Sequence, residues 1–184
     1  MFRATLSERN AAHPHGESMS PREIEIRVLT DIDVSANVLW QIAGPGFANV
    51  AAWTQSVERS TAEGPPVLPG APCAGRVCHV NIRGYDTLRE EITHYDAAAK
   101  ELAYRVTQGT PSFVLLAQNH WTIRPVSATE CQVEMLCTLR LRPIAGLLLG
   151  GIMSRQVRSN LEAVCKELRA HALATASAQQ TESV

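Results

Sequence analysis

The sequence predicts an α+β fold: a curved antiparallel sheet of seven strands, two short helices and a long C-terminal helix, together enclosing an apolar cavity. Three observations predict it. Segments of alternating polarity recur at hairpin spacing, a helix, break, helix segment follows the first of them, and an amphipathic helix closes the chain.

The first 21 residues mix charges with Pro, Gly and Ser and contain no apolar run of signal-peptide length, so a disordered leader is expected over 1–21. "EIEIRVLTDID" then alternates, with Ile24, Ile26 and Val28 on one side, as a half-buried strand does. Ser35 offers an N-cap to "ANVLWQIAG", and a second helical turn is expected in "GFANVAAW" after the Gly44-Pro45-Gly46 break. "TQSVERSTAE" resumes a strand. "GPPVLPGAPCAG" has four prolines and three glycines in twelve residues, which excludes regular structure; with "GPGFANVAAW" it is expected to gate the cavity.

Five further strands are expected in "GRVCHVNIRG", "DTLREEITHYD", "ELAYRVTQG", "SFVLLAQNHWTIRPV" and "ECQVEMLCTLRLR", each bounded by turn residues. The last sorts cleanly, with Cys131, Val133, Met135, Cys137, Leu139 and Leu141 on one face. The terminal helix carries Met153, Val157, Leu161, Val164 and Leu168 at helical spacing, opposite Arg155, Arg158, Glu162, Lys166 and Arg169. The domain is expected over 22–174, and the small polar residues 175–184 as a disordered tail.

At 184 residues the chain suits one domain with a substantial core. Seventeen Lys and Arg balance 18 Asp and Glu, and no basic block tracks a phosphate backbone, which argues against a nucleic-acid partner. Five scattered cysteines, several inside apolar patterns, fit a reducing, cytoplasmic setting. "PIAGLLLGGIM" is too short to span a bilayer, so no stable membrane insertion is expected. "HPH" in the leader looks nothing like a closed zinc site, the C-x4-C of Cys73 and Cys78 has no second pair at ligand spacing, and no phosphate-binding loop or nucleophile motif occurs. Neither a metal nor a cofactor is expected.

The sheet would hold chemistry where alternation turns polar groups onto its dry face. Leu88, Glu90, Ile92 and His94 share one side of "TLREEITHYD", while Glu91 faces water. Desolvation would make Glu90 a general acid or base, and a nearby Arg would oppose that; a structural carboxylate fits the pattern equally. His94, near the strand end, suits a proton-transfer or a capping role. Asn119 and Trp121 lie with Leu115 and Ala117, and Tyr104 with Leu102 and Val106. These are hydrogen-bonding groups for a ligand oxygen or for the protein itself.

"SANVLWQIAGPGFANVAAW" with Trp40 and Trp53, "AGRV" opening a strand, "LREEITHYDAAAKELAYRVTQG" with Glu90, Asp96 and Tyr104, and the terminal helix together resemble the SRPBCC superfamily. This superfamily comprises the START and birch-pollen-allergen-like helix-grip proteins, and the likeness is to its polyketide cyclase/dehydrase branch, over about residues 22 to 172. Thr54, Gln55 and Cys78 depart from the family pattern, which usually has Asn or His, then Pro, and an Arg near position 78. The resemblance implies a pocket for a hydrophobic small molecule between sheet and terminal helix. Its lining would include Trp53, Cys78, Leu88, Ile92, Leu115, Trp121 and Met135 from the sheet side and Met153 and Val157 from the helix. Its proton handling would fall to Glu90, assisted by Asn119, Tyr104 or His94. Some relatives cyclise or dehydrate polyketides, while others carry lipids, hormones or quinones, so an enzyme and a carrier both stay open.

Overall fold

The computed structural model describes residues 20–182 apart from Arg83; the expected leader lies outside them up to residue 19. Seven strands form one sheet: β1 Arg22–Ile32, β2 Val57–Glu63, β3 Gly75–Val80, β4 Thr87–Asp96, β5 Glu101–Gln108, β6 Val114–Pro125 and β7 Cys131–Leu141. All neighbours pair antiparallel in the order β1-β7-β6-β5-β4-β3-β2. Helix α1 (Ala36–Ala43) and a 3-10 turn (Phe47–Ala52) carry the chain from β1 to β2, which lie at opposite edges of the sheet. Helix α2 (Pro143–Glu182) packs on β1, β7 and α1.

Local chemistry explains these elements. Ser35 Oγ accepts a hydrogen bond from the Val38 amide and caps α1. Gly44 ends α1 under the ring of Trp40, where a β-carbon would lie 2.6 Å from the indole. The strict alternation along β7 buries Cys131, Val133, Met135, Cys137, Leu139 and Leu141, as expected. Their layer meets Leu161, Cys165, Leu168 and Ala172 of α2 in one core.

Three expectations change. Helix α2 begins at Pro143, ten residues before its amphipathic stripe, because proline suits a first helical position and the apolar run has no breaker strong enough to stop the helix. It also continues through Glu182, so residues 175–182, expected as a disordered tail, are helical. The proline-rich loop at 64–74 does lack regular structure, but it does not line the cavity. Ala71 and Cys73 are buried in the core, and Leu68 packs against it.

Candidate functional site

The cavity lies between the concave face of the sheet and α2. Because α2 leans on β1, β7 and α1, it does not close down on the β2–β4 side of the sheet, where the 3-10 turn packs on β2 and β3 instead, and a cavity of about 510 Å³ remains. That volume lies within the range of small-molecule sites. Its walls are largely apolar: Val50, Leu88, Leu102, Val106, Leu139, Met153, Val157 and Leu161 among others. Thr54 Oγ1 donates to Glu167 Oε2 at 2.5 Å, and the Gln55 amide donates to the same oxygen at 3.2 Å, so one carboxylate on α2 fastens the start of β2 across the cavity rim.

At the sheet end of the cavity Glu90 stands opposite Arg76 on the neighbouring strand. Gly75 permits the close approach of β3 and β4 at this point, since a β-carbon there would fall 2.1 Å from the Glu90 carbonyl oxygen. Arg76 Nε donates to Glu90 Oε2 at 2.5 Å, both side chains being less than a tenth exposed. Arg76 Nη1 donates to the Phe47 carbonyl, and the guanidinium carbon lies 4.0 Å from the Phe47 ring centroid and 5.1 Å from that of Tyr104. Burial is the largest influence on Arg76 and works against its charge, but the carboxylate of Glu90, through its charge and its hydrogen bond, together with Tyr104 and Cys78 more than offsets it, and the guanidinium is held more firmly protonated than usual. Glu90 Oε1 accepts no hydrogen bond among the described residues and is left to the cavity.

Four more polar groups line the cavity without a protein partner among the described residues. The Trp53 and Trp121 indole N–H groups are buried and unbonded, their rings edge-on at 6.4 Å. The Tyr104 hydroxyl and the Asn119 amide, on directly paired positions of β5 and β6, also make no hydrogen bond. Burial raises the pKa of Tyr104, and the charge of Glu90 raises it further, so the phenol stays a donor. Burial likewise raises the Cys78 thiol, which donates to Ser60 Oγ at 3.5 Å.

Of the residues expected at the site, Glu90, Tyr104, Asn119, Trp53, Cys78, Leu88, Trp121, Met153 and Val157 line the cavity. Four do not. A bulge in β4 between Ile92 and His94 reverses the alternation, so His94 lies outside, about half exposed and 3.5 Å from Glu101, while Tyr95 turns inward onto Trp40. A second bulge, in β6 between Val114 and Leu116, leaves Leu115 exposed and gives its place on the cavity wall to Val114. Ile92 and Met135 do face inward, but they are packed in the core beyond the cavity, Met135 against Cys165.

Arg76, Thr54 and Glu167 were not among the expected site residues. The alternation that turns Cys78 inward turns Arg76 inward too, which was the available signal. Nothing in the sequence paired Thr54 with Glu167, 113 residues later. No group of three or more His, Cys, Asp or Glu side chains able to hold a metal occurs among the described residues.

Fold and site together define a ligand-binding protein with an internal apolar cavity and a small set of buried polar groups. Residues 23–173 match the family described as polyketide cyclase/dehydrase and lipid transport, and the chain belongs to that family. Solved structures with the same fold include norcoclaurine synthase from Thalictrum flavum, a point mutant in complex with a transition-state analogue. It is 13% identical with a TM-score of 0.68 over 85% of this chain and 98% of that one. A START superfamily protein from Mycobacterium smegmatis is also 13% identical, with a TM-score of 0.68 over 82% and 98%. The Zhui aromatase/cyclase from Streptomyces sp. R1128 is 17% identical, with a TM-score of 0.58 over 80% and 94%. No curated protein matches the sequence. Family and fold support a hydrophobic-ligand-binding role.

Proposed function

We propose that the cavity binds a hydrophobic small molecule bearing carbonyl oxygens and acts on it as a polyketide cyclase/dehydrase-like enzyme of secondary metabolism. The observation that carries this reading is the set of unpartnered donors in an otherwise apolar cavity: Trp53 Nε1, Trp121 Nε1, the Tyr104 hydroxyl and the Asn119 amide. Each of the two indole N–H groups is a fully buried donor without a partner, which costs about 1–3 kcal/mol, and a ligand carbonyl relieves that cost. A saturated hydrocarbon does not.

The chemistry follows from these positions. A flexible polyketone is held folded by the walls, so that a carbon flanked by two carbonyls meets a distant carbonyl carbon. Glu90 Oε1 accepts the proton from that flanked carbon, while Arg76 anchors Oε2 and fixes the carboxylate plane. Tyr104 and the indoles donate to the oxygens on which negative charge develops. The new carbon–carbon bond leaves an alkoxide, which takes back the proton held by Glu90 and becomes a hydroxyl; dehydration then removes that hydroxyl together with a proton from the adjacent carbon as water, leaving a carbon–carbon double bond.

The test is a mass-spectrometric assay with a short synthetic polyketone, run on the native protein and on Glu90→Gln and Tyr104→Phe. Cyclised, dehydrated product whose rate falls at least about a hundredfold in Glu90→Gln supports the reading. Tight binding with no product in any variant sinks it.

A carrier of a lipid, quinone or isoprenoid is the second reading. The close engagement of Glu90 by Arg76 favours it, because a carboxylate oxygen held by a buried guanidinium joins β3 to β4 and serves the fold whether or not any chemistry occurs. The five cysteines, all buried and unpaired, support the expected reducing, cytoplasmic setting under either reading.

A further inference from the structure

The first turns of α2 carry an apolar ridge that no described residue covers. Ile144, Leu147, Leu148 and Ile152 are each about 70% exposed (68%, 68%, 69% and 70%). They lie on one side of the helix. The opposite side is held down by Arg22, whose aliphatic carbons pack on Gly146 and whose Nη1 donates to the Gly146 carbonyl at 3.0 Å. Contiguous exposed apolar surface of this kind marks an interaction site rather than chance exposure.

Charge identifies the partner. Between Glu134 and Glu162 the chain contains no acidic residue and four arginines. Arg27, Arg76, Arg89, Arg105, Arg124, Arg140 and Arg169 all pair with carboxylates. Arg22, Arg142, Arg155 and Arg158 have no carboxylate partner among the described residues. Arg22, Arg142 and Arg158 donate to backbone carbonyls instead. Three of them bracket the ridge, Arg142 just before it and Arg155 and Arg158 in the turns that follow, while Arg22 lies beneath the helix.

We propose that this ridge docks on an anionic lipid bilayer, its leucines and isoleucines entering the acyl boundary and its arginines meeting the headgroup phosphates. An apolar helix face flanked by arginines has the amphipathic chemistry of a surface-lying helix. No helix among the described residues is long and apolar enough to cross a membrane, so the contact is peripheral. A second copy of the chain fits the surface less well. Paired about a twofold axis, the patches would set arginines against arginines, and four large side chains fall far short of the roughly 20–30 residues a side of a stable interface. Met153, the residue after Ile152, lines the cavity. Docking therefore brings the cavity to within about one helix diameter, ~10 Å, of the lipid.

Vesicle co-sedimentation tests this without any cavity ligand, so its outcome is independent of the proposed chemistry. The native protein is expected to pellet with vesicles of phosphatidylcholine and phosphatidylglycerol, and at least about tenfold less with phosphatidylcholine alone. The pair Leu148→Asp with Ile152→Asp, shown folded by circular dichroism, is expected to stay in the supernatant. The surface pair Arg142→Glu with Arg155→Glu, which leaves the apolar side chains in place, is expected to lose at least about tenfold in anionic-vesicle binding. Failure of the native protein to pellet with either vesicle overturns the proposal, as does pelleting unchanged by the arginine pair. So does a concentration-dependent dimer in light scattering that Leu148→Asp dissolves, which would assign the ridge to self-association.

Discussion

Arg76 and Glu90 face each other across β3 and β4 at 2.5 Å, and the same guanidinium reaches the Phe47 carbonyl and the faces of Phe47 and Tyr104. One buried cation thus joins two strands, the 3-10 turn and the ring of a neighbouring strand. Taking away either member of the pair strands the other's charge in a dry site. Glu90→Gln and Arg76→Met should each cost about 3–5 kcal/mol in urea unfolding, and the double substitution less than the sum of the two. Glu91→Gln is the control. Its partner Arg105 is half exposed, so it should cost ~0.5 kcal/mol or less. Equal costs at 90 and 91 would show that β4 does not present alternate faces to cavity and solvent.

The indole donors should read as ligand specificity. Trp121→Phe keeps most of the ring area and removes only the N–H, and it should weaken a carbonyl-bearing ligand by about tenfold. A hydrocarbon dye of similar size should bind the variant and the native protein alike. Parallel titrations measure the difference. Equal losses for both probes would mean that the ring fills volume and its N–H contributes nothing.

The rim fastening has a kinetic signature. Glu167→Ala removes the acceptor for Thr54 and for the Gln55 amide, and should cost about 1 kcal/mol of stability. Ligand release, followed by stopped-flow displacement of a bound fluorophore, should quicken while the apolar walls of the cavity stay as they are. A release rate that matches the native protein would place the exchange route elsewhere.

Alkaline pH should destabilise the fold in a defined window. Burial pushes the Cys137 thiol up to about 11 from an ordinary 9.0. Burial also moves Cys131 to about 11, with the charges of Glu130 and Asp31 adding to it. The folded state therefore holds these protons more tightly than the unfolded chain. Their contribution is complete below pH 9 and is lost as pH rises to about 11. Thermal melts from pH 8 to 11 should show the midpoint falling across that interval, and Cys137→Ala should flatten the slope. At pH 8, a thiol reagent should modify these two cysteines only as fast as the protein opens.

The order of elements was legible in the sequence because each has a local cause: period-two alternation in β7, the Ser35 cap, helical spacing from Met153 to Leu168. The inward faces of β4 and β6 were legible only up to the bulges. One extra residue near His94 and another at Leu115 reverse the alternation, and bulges of this kind have no side-chain signature. Arg76 was passed over because a charged side chain opening a strand reads as solvated until its cross-strand partner is known. The start of α2 was missed for another reason. Its large apolar side chains form a stripe that faces away from the sheet, out of phase with the Met153 to Leu168 stripe that marks the packed helix.

The bulge in β4 divides that strand between two tenancies. Before it, Leu88 and Glu90 belong to whatever occupies the cavity; after it, Tyr95 belongs to Trp40 and the buried end of the core. A lineage can therefore retailor the cavity half for a new small molecule while the other half goes on holding the scaffold together. Deleting a single residue there would merge the two halves into one frame and forfeit that independence.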